Sequence, residues 1–191
     1  MSSTSRGSLR SEYDYYTTPH YAIHEFIECA KSNTNIFSEM ESKKILDPCA
    51  GGSPSSVMSY PECLSKYGAK VFTVDIRDDS LANQKGDYLK LNAKGAFDMI
   101  ITNPPFNISM EVIQKAILDV KDGGIVIMLL RLNYFGSKAR REFFDKNMPN
   151  YAFVHSKRMS FSNNGKTDSI EYMHSVWIKG GSTNFTKLYL I

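Results

Sequence analysis

Short apolar segments rich in β-branched residues alternate along the chain with segments that suit amphipathic helices. Strand-type runs occur at residues 44–47, 70–76, 97–102 and 125–130. Parallel strands need long, usually helical crossovers, so this alternation predicts a mostly parallel sheet flanked by helices. The chain has 191 residues, the length of one ordinary α/β domain.

Helix-type patterns fall between these runs. Thr18 and Pro19 suit an N-cap and a first helical residue, and apolar positions continue to about residue 31. A second helix is predicted over residues 109–120, closed by the Asp-Gly-Gly at 122–124, and a third over 138–147.

The last part of the chain has a different character. Strand-like pieces at 151–155, 174–179 and 187–191 are separated by turn-forming segments without a helix between them. Two strands joined without a crossover helix cannot easily be parallel. The sequence therefore predicts an α/β fold whose mostly parallel sheet carries an antiparallel C-terminal strand.

The N-terminus is Ser-rich, and we expect residues 1–12 to form a flexible arm before one domain at 13–191, with no separate target-recognition domain. No apolar run approaches the roughly 20 residues of a membrane span, and no signal peptide is visible. The three cysteines have no metal-like spacing. These features predict a cytoplasmic protein without a membrane or metal partner.

The first strand runs into a turn of small residues, Asp47 to Gly52, that would let a ligand approach the backbone closely. The dinucleotide pattern of three spaced glycines is absent, and the acidic Asp47 would repel a pyrophosphate. The same carboxylate suits the ammonium group of S-adenosylmethionine. A tight turn without a ligand would account equally well for this segment alone.

Two further acids follow at positions where a nucleoside could be held. Asp75 ends the second strand, from which a carboxylate can accept hydrogen bonds from both ribose hydroxyls. Asp87 precedes Tyr88 and could accept from the adenine amine of a cofactor. A solvated strand end and a turn residue are the ordinary alternatives for these two positions.

The most specific motif is Asn103-Pro104-Pro105-Phe106, at the end of a predicted buried strand. Paired prolines stop the ladder and stiffen the chain, leaving the Asn103 amide and nearby carbonyls facing outward. Two acceptors, the Asn103 side-chain oxygen and the Pro104 carbonyl, could bind both N–H groups of an adenine amine. They would localise its lone pair and stabilise the charge that develops during methyl transfer.

In these motifs and their order, the chain resembles adenine-N6 DNA methyltransferases, whose catalytic motif is Asp, Asn or Ser followed by Pro-Pro and an aromatic residue. It is most similar to the compact bacteriophage-type members. The resemblance covers nearly the whole chain and implies a Rossmann-like class I methyltransferase fold, S-adenosylmethionine as cofactor, DNA as substrate, and a bacterial or phage-infected cell. The implied cofactor-binding residues are Thr18, Pro19, Asp47, Pro48, Ala50, Gly51, Asp75, Ile76, Asp87, Tyr88 and Asn103.

The resemblance also suggests how a nucleic acid would be held. Phe106 would stack on a target base that is flipped out or single-stranded, and Phe161 would form the opposite wall unless it is an ordinary core aromatic. A basic edge would contact the phosphates, although a solvated helix face is an equal alternative. The basic candidates are Lys138, Arg140, Arg141, Lys157, Arg158 and Lys166.

Three alternatives stay open. The same Asn-Pro-Pro-aromatic motif occurs in methyltransferases of RNA adenines and in those of glutamine side chains (glutamine-N5) of translation factors. A third is a cofactor-binding subunit without activity, although it would have little reason to keep Asn103 and its prolines. Because no recognition domain is visible, specificity is expected to be low or short, or supplied by a homodimer or another partner.

Overall fold

The strands assemble into one sheet in the computed structural model, which describes residues 16–161, 167–181 and 184–191. The sheet order in these segments is β3-β2-β1-β4-β5-β7-β6-β8. The strands are β1 (Ile45–Asp47), β2 (Val71–Asp75), β3 (Gln84–Lys85), β4 (Phe97–Thr102), β5 (Val120–Arg131), β6 (Tyr151–Val154), β7 (Tyr172–Ile178) and β8 (Lys187–Leu190). The α-helices are α1 (His20–Asn33), α2 (Ser59–Ser65), α3 (Ser109–Asp119) and α4 (Arg141–Lys146).

The direction of the strands confirms the predicted architecture. Strands β3, β2, β1, β4 and β5 are parallel to one another, whereas β7 is antiparallel to both β5 and β6. Strand β8 lies beyond β6 at the sheet edge and is parallel to it. The protein therefore has a mostly parallel sheet flanked by helices, with an antiparallel strand from the C-terminal part of the chain.

Helices cover both faces of the sheet, because the central strands are apolar at successive positions rather than at every second one. In β4, Met99 and Ile101 pack with Phe26 of α1 on one face. Ile100, between them, packs with Val112 and Ile113 of α3 on the other face. The two cores hold the carboxyl ends of the parallel strands in fixed positions.

The start of α1 differs from the prediction in one respect. The N-cap residue is Pro19, without a side-chain cap, and Thr18 does not cap the helix. Thr18 is instead buried, and its hydroxyl accepts a hydrogen bond from Asn103 at 3.1 Å. The expected capping hydroxyl is thus used to hold another side chain.

The Asp-Gly-Gly segment at 122–124 does not close α3, which was the expectation. The helix ends at Asp119, and β5 begins at once and continues through Gly123, which has a φ of +76°. Pairing with β4 shifts register between Phe97 and Met99. Phe97 pairs with Val120 and Met99 with Ile125, so β5 has three more residues than β4 across this irregularity. A glycine with positive φ is typical of a bulged segment, so Gly123 permits an interruption of the strand pairing rather than a helix stop.

The third predicted helix is also divided. Residues 138–140 form a 3₁₀ turn, and the α-helix starts only at Arg141. In the described segments, no helix combines the length with the apolar character that a bilayer span requires. The proposed arm at residues 1–12 lies outside the described residues.

Candidate active site

A cleft opens where β1, β2 and β4 end. The carboxyl ends of parallel strands meet at this edge of the sheet, which is where open α/β sheets bind their ligands. Most of the residues predicted to contact a cofactor line the cleft, and only Pro19 and Gly51 do not. The predicted residues that line it are Thr18, Asp47, Pro48, Ala50, Asp75, Ile76, Asp87, Tyr88 and Asn103.

Asp47 is the most deeply buried acid of the cleft, with 1% of its surface exposed. Its Oδ1 accepts a hydrogen bond from Thr102 Oγ1 at 2.6 Å and one from the Cys49 amide at 3.3 Å. Burial raises the pKa of Asp47 to about 7, more than these two bonds lower it. No cation is bonded to this carboxylate among the described residues, so a cationic ligand group would stabilise its charge.

Asp75 fixes the turn that follows β1. Its Oδ2 accepts from the Gly51 amide at 2.7 Å, and its Oδ1 accepts from the Arg77 amide at 2.9 Å. The Arg77 guanidinium lies 3.3 Å from the same Oδ1 and donates to the Gly52 carbonyl at 2.6 Å. Gly51 therefore acts by orienting Asp75 rather than by lining the cleft.

Arg77 is a cleft residue that sequence reasoning missed. Its position two residues after Asp75 was the available signal, because an arginine there can fold back on the carboxylate. Asp87 accepts a hydrogen bond from the Leu89 amide at 2.9 Å, which orients its side chain beside Tyr88 at the cleft wall.

Asn103 follows β4 and faces the cleft. Its Nδ2 donates to Thr18 Oγ1 at 3.1 Å and to the Tyr16 carbonyl at 3.4 Å. Its Oδ1 is buried and has no hydrogen-bond partner within the described residues. The amide is thus held by its nitrogen, while its oxygen is left as an unsatisfied acceptor.

The two prolines join this amide to α3. Pro104 is buried, and the Pro105 carbonyl accepts from the Ile108 amide at 3.2 Å. Ser109 Oγ donates to the Phe106 carbonyl at 3.0 Å and lies 2.9 Å from the Tyr134 hydroxyl. These contacts fix the backbone of the motif from both ends.

An aromatic cluster surrounds Phe106. The Tyr16 ring lies nearly parallel to it, with centroids 6.5 Å apart, and the Arg131 guanidinium lies over the Phe106 ring at 4.3 Å. Phe161 meets Tyr16 edge-on at 6.2 Å and Tyr172 edge-on at 4.9 Å. Phe161 is therefore close to Phe106, but Tyr16, which the sequence analysis did not single out, provides the ring that faces it.

The basic residues in the 138–141 segment lie in different environments. Lys138 is exposed, and the Arg140 guanidinium packs over the Tyr134 ring at 4.1 Å and donates to the Tyr134 carbonyl. Arg141 is exposed and pairs with Asp145 at 2.7 Å. Arg140 therefore packs against Tyr134 within the fold, whereas the side chains of Lys138 and Arg141 are exposed to solvent.

The second basic group adjoins the aromatic cluster. The Lys157 ammonium lies over the Tyr21 ring at 4.5 Å, and the Tyr21 hydroxyl donates to the Arg158 carbonyl. The Arg158 side chain lies 3.5 Å from Glu171. Lys166 lies outside the described residues.

Comparison with known proteins shows similarity in structure only. No family model and no curated sequence matches the chain. A methyltransferase subunit of a type I restriction-modification system from Streptococcus thermophilus superposes with a TM-score of 0.67 at 12% identity, over 92% of this chain and 47% of that one. A candidate class I S-adenosylmethionine-dependent methyltransferase from Listeria monocytogenes gives 0.61 at 13% identity, over 92% and 65%.

A third structure matches over a similar share of both chains. It is a candidate RNA methyltransferase from Pyrococcus horikoshii, with a TM-score of 0.63 and 20% identity over 87% of this chain and 88% of that one. The present chain thus spans less than two thirds of the Listeria protein and about half of the Streptococcus subunit. From its sheet order, its cleft and these superpositions, the chain has the Rossmann-like fold of class I S-adenosylmethionine-dependent methyltransferases.

Proposed function

We propose that this protein transfers a methyl group from S-adenosylmethionine to the N6 amine of adenine in DNA, with low or short sequence specificity. The observation that carries the proposal is the buried Asn103 Oδ1 without a partner in the described residues. A buried acceptor left unsatisfied costs about 1–3 kcal/mol. A ligand N–H group that reaches this oxygen would recover that free energy.

S-adenosylmethionine is the cofactor expected for this fold, and the residues of the cleft fit it. Asp47 is a buried carboxylate suited to the ammonium group, and Asp75 ends β2 where it could accept from the ribose hydroxyls. Asp87 and Tyr88 would hold the adenine ring. When bound, the cofactor supplies an electrophilic methyl group on a cationic sulfonium.

The work of the protein at the target amine is to accept hydrogen bonds. The Asn103 oxygen and the Pro104 carbonyl would bind the two N–H groups, which localises the nitrogen lone pair and stabilises the developing positive charge. The Asn103 nitrogen is already held by Thr18 and Tyr16, so the acceptor needs little reorganisation. No strong base is required.

The aromatic cluster suits a base taken out of its helix. The Arg131 guanidinium lies over the Phe106 ring, and the Tyr16 ring lies nearly parallel to Phe106, so a purine would enter between Tyr16 and Phe106. Stacking of a base on an aromatic side chain contributes about 1–3 kcal/mol. Two stacking contacts of about 3.5 Å each need roughly 7 Å between rings. Tyr16 would therefore move away slightly from its present 6.5 Å centroid distance to admit the base between them.

The Asn-Pro-Pro-Phe motif is shared by all three substrate classes, and DNA is favoured by the name of the Streptococcus structure, a subunit of a restriction-modification system. The exposed Lys157 and Arg158, beside the aromatic cluster, would contact phosphates. RNA is the second candidate, because the Pyrococcus structure that matches over both chains is named as an RNA methyltransferase. A glutamine side chain in a protein is the third, since its amide offers similar N–H groups.

One experiment separates these substrates. Tritium transfer from labelled cofactor is measured in parallel on duplex DNA, single-stranded DNA, RNA and a glutamine-containing translation factor, followed by mass spectrometry of the nucleosides. We expect the labelled nucleoside to be N6-methyl-2′-deoxyadenosine. Label that enters only RNA or only protein would replace the proposed substrate, and no transfer to any of the four would contradict the proposed function.

The role of Asn103 predicts a specific loss. Asn103→Ala should lower the single-turnover rate by roughly 10²–10³ while cofactor binding persists, by analogy with removal of one preorganised transition-state hydrogen bond. Asn103→Asp keeps an oxygen acceptor and should retain more activity than the alanine variant. The exposed Asn92→Ala is the matched control. An unchanged rate in Asn103→Ala would remove the central residue of the proposal.

A further inference from the structure

One guanidinium in the aromatic cluster pairs with no acid among the described residues. Arg131 is the last residue of β5, three positions beyond Met128, which pairs with Thr102 at the end of β4. This register places Arg131 beside the segment that follows β4, and its guanidinium carbon lies 4.3 Å from the centre of the Phe106 ring. Arg131 is therefore part of the wall of the proposed base pocket.

Arg131 differs from the other arginines of the described segments, each of which bonds to an acid or a carbonyl. These pairs are Arg77 with Asp75, Arg140 with the Tyr134 carbonyl, Arg141 with Asp145 and Arg158 with Glu171. Arg131 forms no ion pair in the same segments, and its Nε is buried without a hydrogen-bond partner there. A buried charged donor without a partner is costly, so this N–H group favours a ligand that brings an acceptor.

The acid on this side of the sheet is bonded to another side chain. Tyr172 lies opposite Arg131 in the β5–β7 pairing, so both side chains are on one face of the sheet, and the Tyr172 ring lies 6.0 Å from the Phe106 ring. The Tyr172 hydroxyl donates to Asp168 at 2.7 Å, and Asp168 forms no ion pair with Arg131. The guanidinium thus keeps its charge unpaired beside Phe106.

The chemistry of this group selects an anion as its ligand. A phosphate offers a guanidinium both a negative charge and two oxygen acceptors in one bidentate contact. The ring nitrogens of adenine and the amide of a glutamine side chain are acceptors without charge, so they would satisfy the N–H group but not the cation. A base that stacks on Phe106 carries its own flanking phosphates to the pocket.

We propose that Arg131 binds one of the two phosphates that flank the flipped target nucleotide, and that this contact selects a nucleic acid over a glutamine side chain. The contact rests on the proposed function for the identity of the target base, but it is tested by binding alone. The exposed Lys157 and Arg158 would attract the strand in general, whereas Arg131 acts at a single phosphate beside Phe106.

The first test measures the binding of a single-stranded thymidine oligonucleotide with one adenine by fluorescence anisotropy, with S-adenosylhomocysteine filling the cofactor cleft. Arg131→Met keeps a side chain over Phe106 and should weaken binding about 10–100-fold, the effect of lost hydrogen bonds to a charged group. Arg131→Lys keeps the charge without the planar fork and should recover part of the loss. Lys70→Met, an exposed position at the other end of β2, is the matched control. An Arg131→Met affinity equal to that of the control would overturn the proposal.

The second test locates the contact on the strand. An uncharged methylphosphonate replaces either the phosphate before the adenine or the phosphate after it. At one of these positions, the replacement should weaken binding to the wild type by about the same factor as Arg131→Met does, and it should weaken binding to Arg131→Met less than about threefold. Losses that multiply fully at both positions would mean that Arg131 contacts another part of the ligand, and would refute the proposed contact.

Thermal unfolding distinguishes this contact from a purely structural role. An unpaired buried cation does not stabilise the unliganded fold, so Arg131→Met should keep the wild-type melting temperature or raise it. A lower Tm combined with wild-type DNA affinity would show that Arg131 serves packing at Phe106 instead. A protein that binds DNA through Arg131 but methylates no substrate would contradict the proposed function and leave this contact standing. Methylation of adenine in DNA without any dependence of binding on Arg131 would refute the contact alone.

Discussion

Asp47→Asn is expected to make the protein more stable at neutral pH and a weaker binder of its cofactor. Burial raises the pKa of Asp47 from 3.8 to about 7, so the folded state holds this proton more tightly than the unfolded state does. The protonated Asp47 carboxyl therefore adds its full contribution to the free energy of unfolding below about pH 4. This contribution decreases above pH 4 and is lost once the pH has risen through 7. Three pKa units correspond to about 4 kcal/mol. Asparagine stays neutral and keeps an acceptor for Thr102, so the variant should not show this loss.

The assay compares urea unfolding of the wild type and the variant at pH 4 and pH 8, followed by circular dichroism. The stability difference in favour of Asp47→Asn should grow by about 4 kcal/mol between the two pH values. Asp78→Asn, at an exposed position, should show no such growth. Titration calorimetry at pH 8 should show 10–100-fold weaker cofactor binding, roughly the 1.5–3 kcal/mol of a hydrogen bond to a charged group. A stability difference that is the same at both pH values would refute the reasoning.

Three further substitutions test the base pocket, the cofactor turn and the packing of α3. Phe106→Ala should weaken the binding of single-stranded DNA by about 5–150-fold, the equivalent of 1–3 kcal/mol of lost stacking, measured by fluorescence anisotropy with cofactor Kd as the control. Gly52→Ala should lower the free energy of unfolding in urea by about 1–3 kcal/mol, because φ at this position is +74° and a Cβ would lie 2.8 Å from Met58 Cγ. A free energy equal to that of the wild type would show that the turn can relax. Lys115 Nζ lies 2.8 Å from Oδ2 of the buried Asp119. Lys115→Met removes this cation and should lower the melting temperature, because an unpaired buried carboxylate costs about 3–5 kcal/mol. An unchanged Tm would mean that Asp119 finds another partner.

Most of the fold could be predicted from local patterns. Strand β4 has the predicted bounds, 97–102, because its apolar run is bounded by a turn on one side and by two prolines on the other. The start of α3 at Ser109 was predicted as well. These segments carry their own boundaries in the sequence, so no tertiary contact is needed to locate them.

The errors occur where a residue type has two structural uses. Gly123 suits both a helix stop and a β-bulge, and only pairing with β4 and β7 selects the bulge. Thr18 suits an N-cap, but its hydroxyl is taken by Asn103, which lies 85 residues away. Local preference cannot resolve either choice, because the deciding partner is distant in the chain.

The site divides in the same way. Asp47, Asp75 and Asn103 could be predicted to converge because each lies at the carboxyl end of a strand of a parallel sheet, Asn103 directly after β4. The contact between Tyr60, which lines the cleft, and His174 could not, since 114 residues separate them and neither belongs to a motif. A contact of this kind depends on how α2 packs on β7, which the pattern of apolar residues leaves undetermined.

Residues 16–18 connect the two halves of the proposed reaction. They line the cleft, they bind the Asn103 nitrogen, and they place the Tyr16 ring beside Phe106. A segment that borders two ligands makes the occupancy of one change the affinity for the other, and thermodynamic linkage requires the effect to be reciprocal. If the methyl donor changes the affinity for a nucleic acid by some factor, the nucleic acid must change the affinity for the methyl donor by the same factor.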